Sequence, residues 1–222
     1  MAEHDPLKYK KMVKDYQDRD EPTAWFDSIY KEAKGDYKAV FWADLAPSPY
    51  LIKWLKEEIV QKKEKKAIVI GCGVGDDAEA LSQFGFKVVA FDISPNAIEL
   101  CKNRYPHSNV TYLVADLFDY PKDWFQNFDV VYECNTIQVL PGKYRVHARE
   151  AISSLVTLNG YALISCRSRK TGEQEDDIPL PLDKKEIDTF VQIDKLKEVS
   201  FLAYDDDQTP SIPHFFAIYQ RI

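Results

Sequence analysis

The stretch AIVIGCGVGDDAEALSQFGFKVVAFD, Ala67 to Asp92, leaves this chain few folds to choose from. It opens with the apolar, β-branched run from Ala67 to Ile70, too short for a helix and suited to a buried parallel strand. Gly71, Gly73 and Gly75 follow at alternate positions. A helix then begins, with Asp76 in the N-cap place and Glu79 three residues on to complete a capping box. Gly85 ends it, and a second apolar run, Val88 to Phe91, finishes on Asp92. Strand, glycine loop, helix, strand and acid make the nucleotide-binding half of a doubly wound, Rossmann-like α/β sheet. Asp92 stands about 20 residues past the first glycine, the reach at which a carboxylate meets a ribose hydroxyl.

Which nucleotide such a loop takes depends on the start of its helix. A dinucleotide needs G-x-G-x-x-G, because a pyrophosphate must approach bare backbone there. Here the third glycine is replaced by Asp76, with Asp77 beside it. Two carboxylates would repel a diphosphate and suit a cationic ligand without phosphate. S-adenosylmethionine has that character, with adenosine for the loop and Asp92 and two cationic groups for carboxylates. Asp76 and Asp77 cap the helix on any reading, but capping leaves the glycine triplet and Asp92 unexplained.

Net charge is −7, with no clustered basic stripe, which disfavours a nucleic-acid partner. The Lys-rich stretch Lys62 to Lys66 reads as the solvated end of a helix. A charged-then-apolar leader and a long apolar span are both lacking, so the expectation is a cytoplasmic protein that is neither secreted nor membrane-spanning. Cys72, Cys101, Cys134 and Cys166 are widely spaced, which suits a reducing compartment, and the four histidines show no metal-ligand spacing. No metal site is expected.

Along the chain, residues 1–20 are charged and weakly periodic, a frayed helix or tail. A better helix is expected from Thr23 to Ala33, with Trp25, Phe26, Ile29, Tyr30 and Ala33 on one face and Gly35 as its stop. Residues 36–47 read as a loop carrying Phe41 and Trp42. Ser48 and Pro49 then start a helix with Leu51, Ile52, Leu55 and Ile59 inward. The crowded rings of this segment either pack on the sheet or form a lid that shields a sulfonium. After Asp92, Ser94 and Pro95 open a helix to Arg104, and Val110 to Ala115 forms a third strand ending at Asp116 and Leu117. Phe128 to Tyr132 is the fourth strand, running into Glu133, Cys134, Asn135 and Thr136. A long helix is expected from Gly142 to Leu158, closed by Asn159 and Gly160. The fifth strand then runs from Tyr161 to Ser165 toward Arg167. Gly172 to Asp177 reads as an acidic exposed loop, and Asp183 with Glu186 as a capping box over Ile187 and Phe190. Two last strands, Val199 to Tyr204 and His214 to Tyr219, are joined closely enough to require antiparallel pairing.

The order of elements, with GCGVGDDAE, VVAFDIS, VADLFD and YECNTIQVLP, resembles a class I S-adenosylmethionine-dependent methyltransferase. Within that class it is similar to the thiopurine S-methyltransferase-like branch, through the aromatic segment around PTAWFDSIY as well. The resemblance implies a seven-stranded sheet with its last strand antiparallel. It implies one domain over residues 1–222, a helical, aromatic lid over 1–60 and a Rossmann-like core over 61–222. Carried over, Gly71, Gly73 and Gly75 line the cofactor, Asp92 holds the ribose, and Ile93 lies beside the adenine; Asp76 joins the cofactor residues through its charge. Asp116 and Leu117 hold the adenine, Glu133 faces the methionine end, and Trp25 covers the cofactor. From their own place in the chain, Tyr30 and Trp42 in the aromatic segment and Arg167 after the fifth strand are read as facing the substrate. ECNTIQ departs from the Asn-Pro-Pro-Tyr pattern of amino methylation in nucleic acids.

Methyl transfer is an in-line displacement, so the protein chiefly positions the nucleophile and excludes water. A thiol needs little more, being partly ionised near neutral pH. A phenol or amine needs a base within reach, for which Glu133 is the candidate. The expected function is methylation of a small molecule, a thiol before oxygen or nitrogen. A non-catalytic cofactor- or partner-binding protein of the same fold is the alternative, and a nicotinamide dehydrogenase stands third. Cys134 and Cys166 are read as inert thiols.

Overall fold

In the computed structural model the apolar run of the glycine unit is a strand, β1 (Lys66–Ile70), buried from Ala67 onward. The structure describes residues 6–19, 21, 23–57, 64–173, 179–192 and 196–222. The chain divides into two compact units, Met1–Asp116 and Leu117–Ile222.

The first unit is built on three parallel strands. β2 (Lys87–Asp92) pairs with β1, and β3 (Thr111–Val114) with β2. Single helices make both crossovers, α4 (Asp76–Gln83) and α5 (Pro95–Arg104). Ser94 caps α5 as its sequence demands, its hydroxyl accepting from the Ala97 amide at 3.0 Å. Ahead of β1 lie α1 (Pro6–Gln17), α2 (Trp25–Glu32) and α3 (Pro49–Glu57). Ser48 caps α3, whose Leu51, Trp54 and Leu55 are buried. The expected inward Ile59 and the lysines Lys62 and Lys63 lie outside the described residues, while Lys66 opens β1 instead of closing a helix. The aromatic segment packs into the unit's core: Tyr30, Ala33 and Val40 share one buried cluster with Val74, Ala97 and Leu100.

One local expectation is corrected here. The N-cap of α4 is Gly75, at φ +94°, and Asp76 is the first helical residue. The Glu79 carboxylate does not reach back to a cap; it accepts from Tyr112 at 2.8 Å and from Ser108. Two hydroxyls on the far side of α5 compete successfully for a carboxylate that a local box would have used.

In the second unit β4 (Phe128–Cys134) and β5 (Val156–Arg167) are parallel, and β7 (Pro213–Arg221) runs antiparallel between β5 and β6 (Leu196–Asp205). Helices α6 (Gly142–Leu155) and α7 (Lys184–Gln192) complete it. The capping box at α7 forms as expected, Asp183 and Glu186 exchanging amide-to-carboxylate bonds of 2.9 and 3.0 Å. Most of the acidic stretch to Asp177 lies outside the described residues. The strand order is β3-β2-β1-β4-β5-β7-β6, a seven-stranded mixed sheet whose last strand is antiparallel to its neighbours. Among the described residues no helix is long and apolar enough to cross a membrane.

The long helix expected to Leu158 stops at Leu155, and the β-branched Val156 and Thr157 already belong to β5. The β4–β5 register slips there, from Phe128 opposite Val156 to Val130 opposite Tyr161, with Asn159 at φ +62°. Gly160 makes the slip possible. A Cβ on it would stand 2.9 Å from the Thr157 carbonyl, 3.0 Å from that of Phe128 and 3.1 Å from that of Asp129. All three obstacles are backbone, so none can swing aside. Gly160→Ala is therefore expected to cost about 3 kcal/mol and to lower the melting temperature by roughly 6–12 °C. Thermal unfolding checks this, and a midpoint within 2 °C of wild type (roughly 0.5–1 kcal/mol,) contradicts it.

Candidate functional site

The first unit holds the glycine loop, a chain of positive-φ residues between β1 and α4. Gly71, Gly73 and Gly75 adopt φ of +60°, +55° and +94°, angles that cost other residues a Cβ clash. Asp92, at the carboxyl end of β2 and only 6% exposed, ties this loop down. One of its oxygens accepts from the Gly73 amide at 3.1 Å, the other from the Ser94 amide at 3.0 Å. The Cys72 amide bonds to the Phe91 carbonyl at 2.9 Å, so loop and strand end are stitched twice. Burial pushes the Asp92 carboxyl up to about 6, against the lowering effect of the Ser94, Gly73 and Ile93 amides. Ile93 is half-buried beside it.

Around the loop the aromatic residues are brought together. The Tyr30 hydroxyl lies 3.3 Å from where a Cβ of Gly73 would be, and it accepts from the Trp42 indole at 3.3 Å. Trp25, buried, meets the Trp42 ring edge-on at 5.9 Å. Helix α2 is fixed to the start of α5 by Asp27, which accepts from the Ser94 hydroxyl at 2.7 Å and from Asn96. Burial alone would raise the Asp27 carboxyl; these bonds outweigh it and hold the group below its ordinary value. Asp27 carries no sequence signal, since its partners lie 67 and 69 residues away.

Asp76 was expected to offer its charge to a ligand, and the geometry gives that charge another partner. Its two oxygens accept from Arg104 at 2.7 Å each, in a pair about one-eighth exposed on both sides. Asp77 accepts from the Ser48 amide at 2.7 Å. Asp116, half-buried, follows β3, and buried Leu117 opens the second unit.

In the second unit Glu133, the last residue but one of β4, is fully buried. Its Oε1 accepts from the amides of Thr136 and Ile137, while Oε2 is buried without a hydrogen-bond partner. Burial raises its carboxyl to about 7, against those same two amides. Arg167, half-buried, lies at the carboxyl end of the neighbouring parallel strand. Its backbone amide is held by the buried side chain of Gln138. Gln138 and Arg145 escaped the sequence reading. Arg145 joins α6 to Glu186 of α7 and to the carbonyls of Leu140 and Leu180. All four cysteines are free thiols, and burial pushes Cys166 well up from its ordinary value. Among the described residues no group of three His, Cys, Asp or Glu could hold a metal ion.

Part of the sequence and the fold as a whole have counterparts in known proteins. Residues 67–160 match a methyltransferase domain. The ubiquinone biosynthesis O-methyltransferase of Coxiella burnetii is 29% identical over 101 residues. That alignment takes in 45% of this chain and 42% of the relative, so less than half of the curated protein's length is spanned. Among solved structures, the 1,6-didemethyltoxoflavin-N1-methyltransferase of Burkholderia thailandensis, with S-adenosylhomocysteine bound, superposes with a TM-score of 0.70 at 14% identity. It covers 100% of this chain and 92% of that one. The magnesium protoporphyrin IX methyltransferase of Synechocystis PCC 6803, with SAM bound, superposes at 0.66 and 15% identity over 100% of both chains. The fold is that of the class I methyltransferases.

Proposed function

We propose that this chain is an S-adenosylmethionine-dependent methyltransferase acting on a small molecule. The observation that carries it is the buried Asp92 bound to the Gly73 amide, inside the segment that matches a methyltransferase domain. An ionised carboxylate has about four acceptor places, and the amides of Gly73, Ser94 and Ile93 leave it room for a further donor, which a ribose hydroxyl supplies. The unpaired Oε2 of Glu133 is a second acceptor lacking a donor, which an ammonium group or an acceptor hydroxyl provides.

When bound, the cofactor supplies a methyl group on a positively charged sulfur. Gly71, Gly73, Gly75, Asp92 and Ile93 hold it on this reading, with Asp116 and Leu117 at the adenine and Trp25 as its cover. Asp76 acts on the loop instead of on the ligand. Tyr30, Trp42 and Arg167 are assigned to the acceptor, and Arg167 offers a positive charge to an anionic one. Glu133 takes the acceptor's proton, its carboxyl near 7 being matched to work at neutral pH.

A thiol acceptor follows from the likeness to the thiopurine S-methyltransferase-like branch. A hydroxyl is the second reading, favoured by the Glu133 carboxyl and by the O-methyltransferase relative. Calorimetry with S-adenosylmethionine and with NADH tests the cofactor, and a panel of thiols, phenols and amines with methyl-labelled cofactor tests the acceptor. Heat with S-adenosylmethionine and label on one acceptor class is the expected result. Heat with NADH alone overturns the proposal, and binding without transfer to any acceptor favours a non-catalytic protein of this fold.

A further inference from the structure

The carbonyls of the glycine loop are met one after another by side chains. The Gly73 carbonyl accepts from the Cys101 thiol at 3.1 Å and that of Val74 from Arg104 at 3.0 Å, while the Tyr112 hydroxyl, which donates to Glu79, lies 3.5 Å from that of Gly75. Cys101 and Arg104 stand three residues apart on α5, and Tyr105 four from Cys101, so one helix face serves the loop. Arg104 does more than the other two. The same guanidinium nitrogen that bonds Val74 bonds Asp76, its fellow bonds the second Asp76 oxygen, and the Tyr105 hydroxyl reaches Asp76 at 3.3 Å. Its planar group lies 4.1 Å from the Tyr37 ring centroid and 4.8 Å from that of Tyr105. A shielded, bidentate and ring-flanked arginine is a strong joint, unlike an exposed ion pair.

Resting on the proposed function, we propose that Arg104 is a positioning residue for the cofactor loop. Three glycines give the loop more backbone freedom than residues with a Cβ would. Left free, it would surrender that freedom when the ligand binds, and affinity would fall accordingly. Arg104 fixes the end of the loop and the first residue of α4 at folding, so the amides are already in place. The clamp belongs to binding and leaves the methyl-transfer step untouched.

The test uses Arg104→Met in the full chain, because methionine keeps an apolar stem between Tyr37 and Tyr105 and deletes the donors. With the variant folded by circular dichroism, its Kd for S-adenosylhomocysteine is expected to rise about tenfold or more, the equivalent of roughly one charged hydrogen bond. At saturating cofactor kcat stays within about threefold of wild type, a split that lost stability alone does not produce. Arg104→Lys, which retains the charge without the fork, falls between the two. Asp76→Asn costs less in the Arg104→Met background than alone, since the pair acts as a unit. A folded Arg104→Met whose Kd stays within about twofold of wild type (a quarter to a third of a tenfold step,) overturns this inference alone. If Arg104→Met does not fold, Arg104→Lys with an unchanged Kd does the same. A wild-type protein that binds no S-adenosylhomocysteine removes the proposed function, and this inference with it.

Discussion

Asp92→Asn is expected to weaken cofactor binding by about two orders of magnitude while changing stability little. Each ribose hydroxyl donating to an ionised carboxylate is worth roughly 1.5–3 kcal/mol, and a neutral amide keeps only part of that. The stability side is a near balance. Asparagine offers a carbonyl to one of the Gly73 and Ser94 amides and leaves the other unsatisfied, a loss of about 1–3 kcal/mol. Against this, the folded wild type holds Asp92 at about 6 instead of its ordinary 3.8, so its buried charge costs roughly 3 kcal/mol at neutral pH. The sign of the pH dependence follows. The ligand needs the ionised form, so affinity is flat above about pH 7 and falls toward tenfold per unit as pH drops below about 6. That decline ends at the lower pKa of the complex. Calorimetric titration from pH 5 to 8 in a Glu133→Gln background, which removes the second carboxyl that titrates in this range, should show the slope with Asp92 and none with Asp92→Asn. A Kd that ignores pH with Asp92 in place, or an Asp92→Asn Kd within about threefold of it (under 0.7 kcal/mol,), would remove Asp92 from the ribose.

Much of this site was legible because its determinants are local. The glycine triplet, the apolar runs around it and Asp92 fall within 26 consecutive residues, and strand periodicity places the acid at a strand's end. The caps at Ser94 and Asp183 were equally local and equally correct. Asp76 and Glu79 show the same spacing as Asp183 and Glu186, yet only the second box forms. The difference is tertiary: Gly75 takes the cap with its positive φ, Arg104 draws Asp76, and Tyr112 draws Glu79. No window around Asp76 contains those partners, which lie 28 residues or more away. Asp27, Arg104 and Gln138 were missed for the same reason. The end of α6 failed differently, since a helix-compatible pattern continues past Leu155 while a register slip at Gly160 claims Val156 for the sheet. Charge matching also changed its meaning. The carboxylate of Asp76, read from the sequence as facing a cationic ligand, is held by Arg104 at 2.7 Å on both oxygens.

Glu133→Gln should make the protein more stable and a hydroxyl-methylating enzyme far slower. The Glu133 carboxyl titrates at about 7 in the folded chain against an ordinary 4.5. Its folded pKa is raised, so folding takes up a proton, and stability is greatest below pH 4.5 and is lost as pH rises through 7. Glutamine cannot ionise and escapes that loss, while its carbonyl still accepts from Thr136 and Ile137. The side-chain amide would stand where Oε2 has no partner, as the protonated acid does, so this cost is common to both. A gain of about 3 kcal/mol at pH 8 follows, or roughly 6–12 °C in melting temperature, shrinking to nothing near pH 4.5. The kinetic effect separates the two acceptor classes. Removing a general base costs about 10²–10⁴ in turnover where a hydroxyl must be deprotonated. A thiol that ionises by itself loses only a few-fold. Melting curves at pH 5 and 8 beside initial rates on a thiol and a phenol measure both halves. A variant no more stable than wild type at pH 8 would mean that the Glu133 charge is solvated or paired, and its role as a base near neutral pH would lose its physical ground.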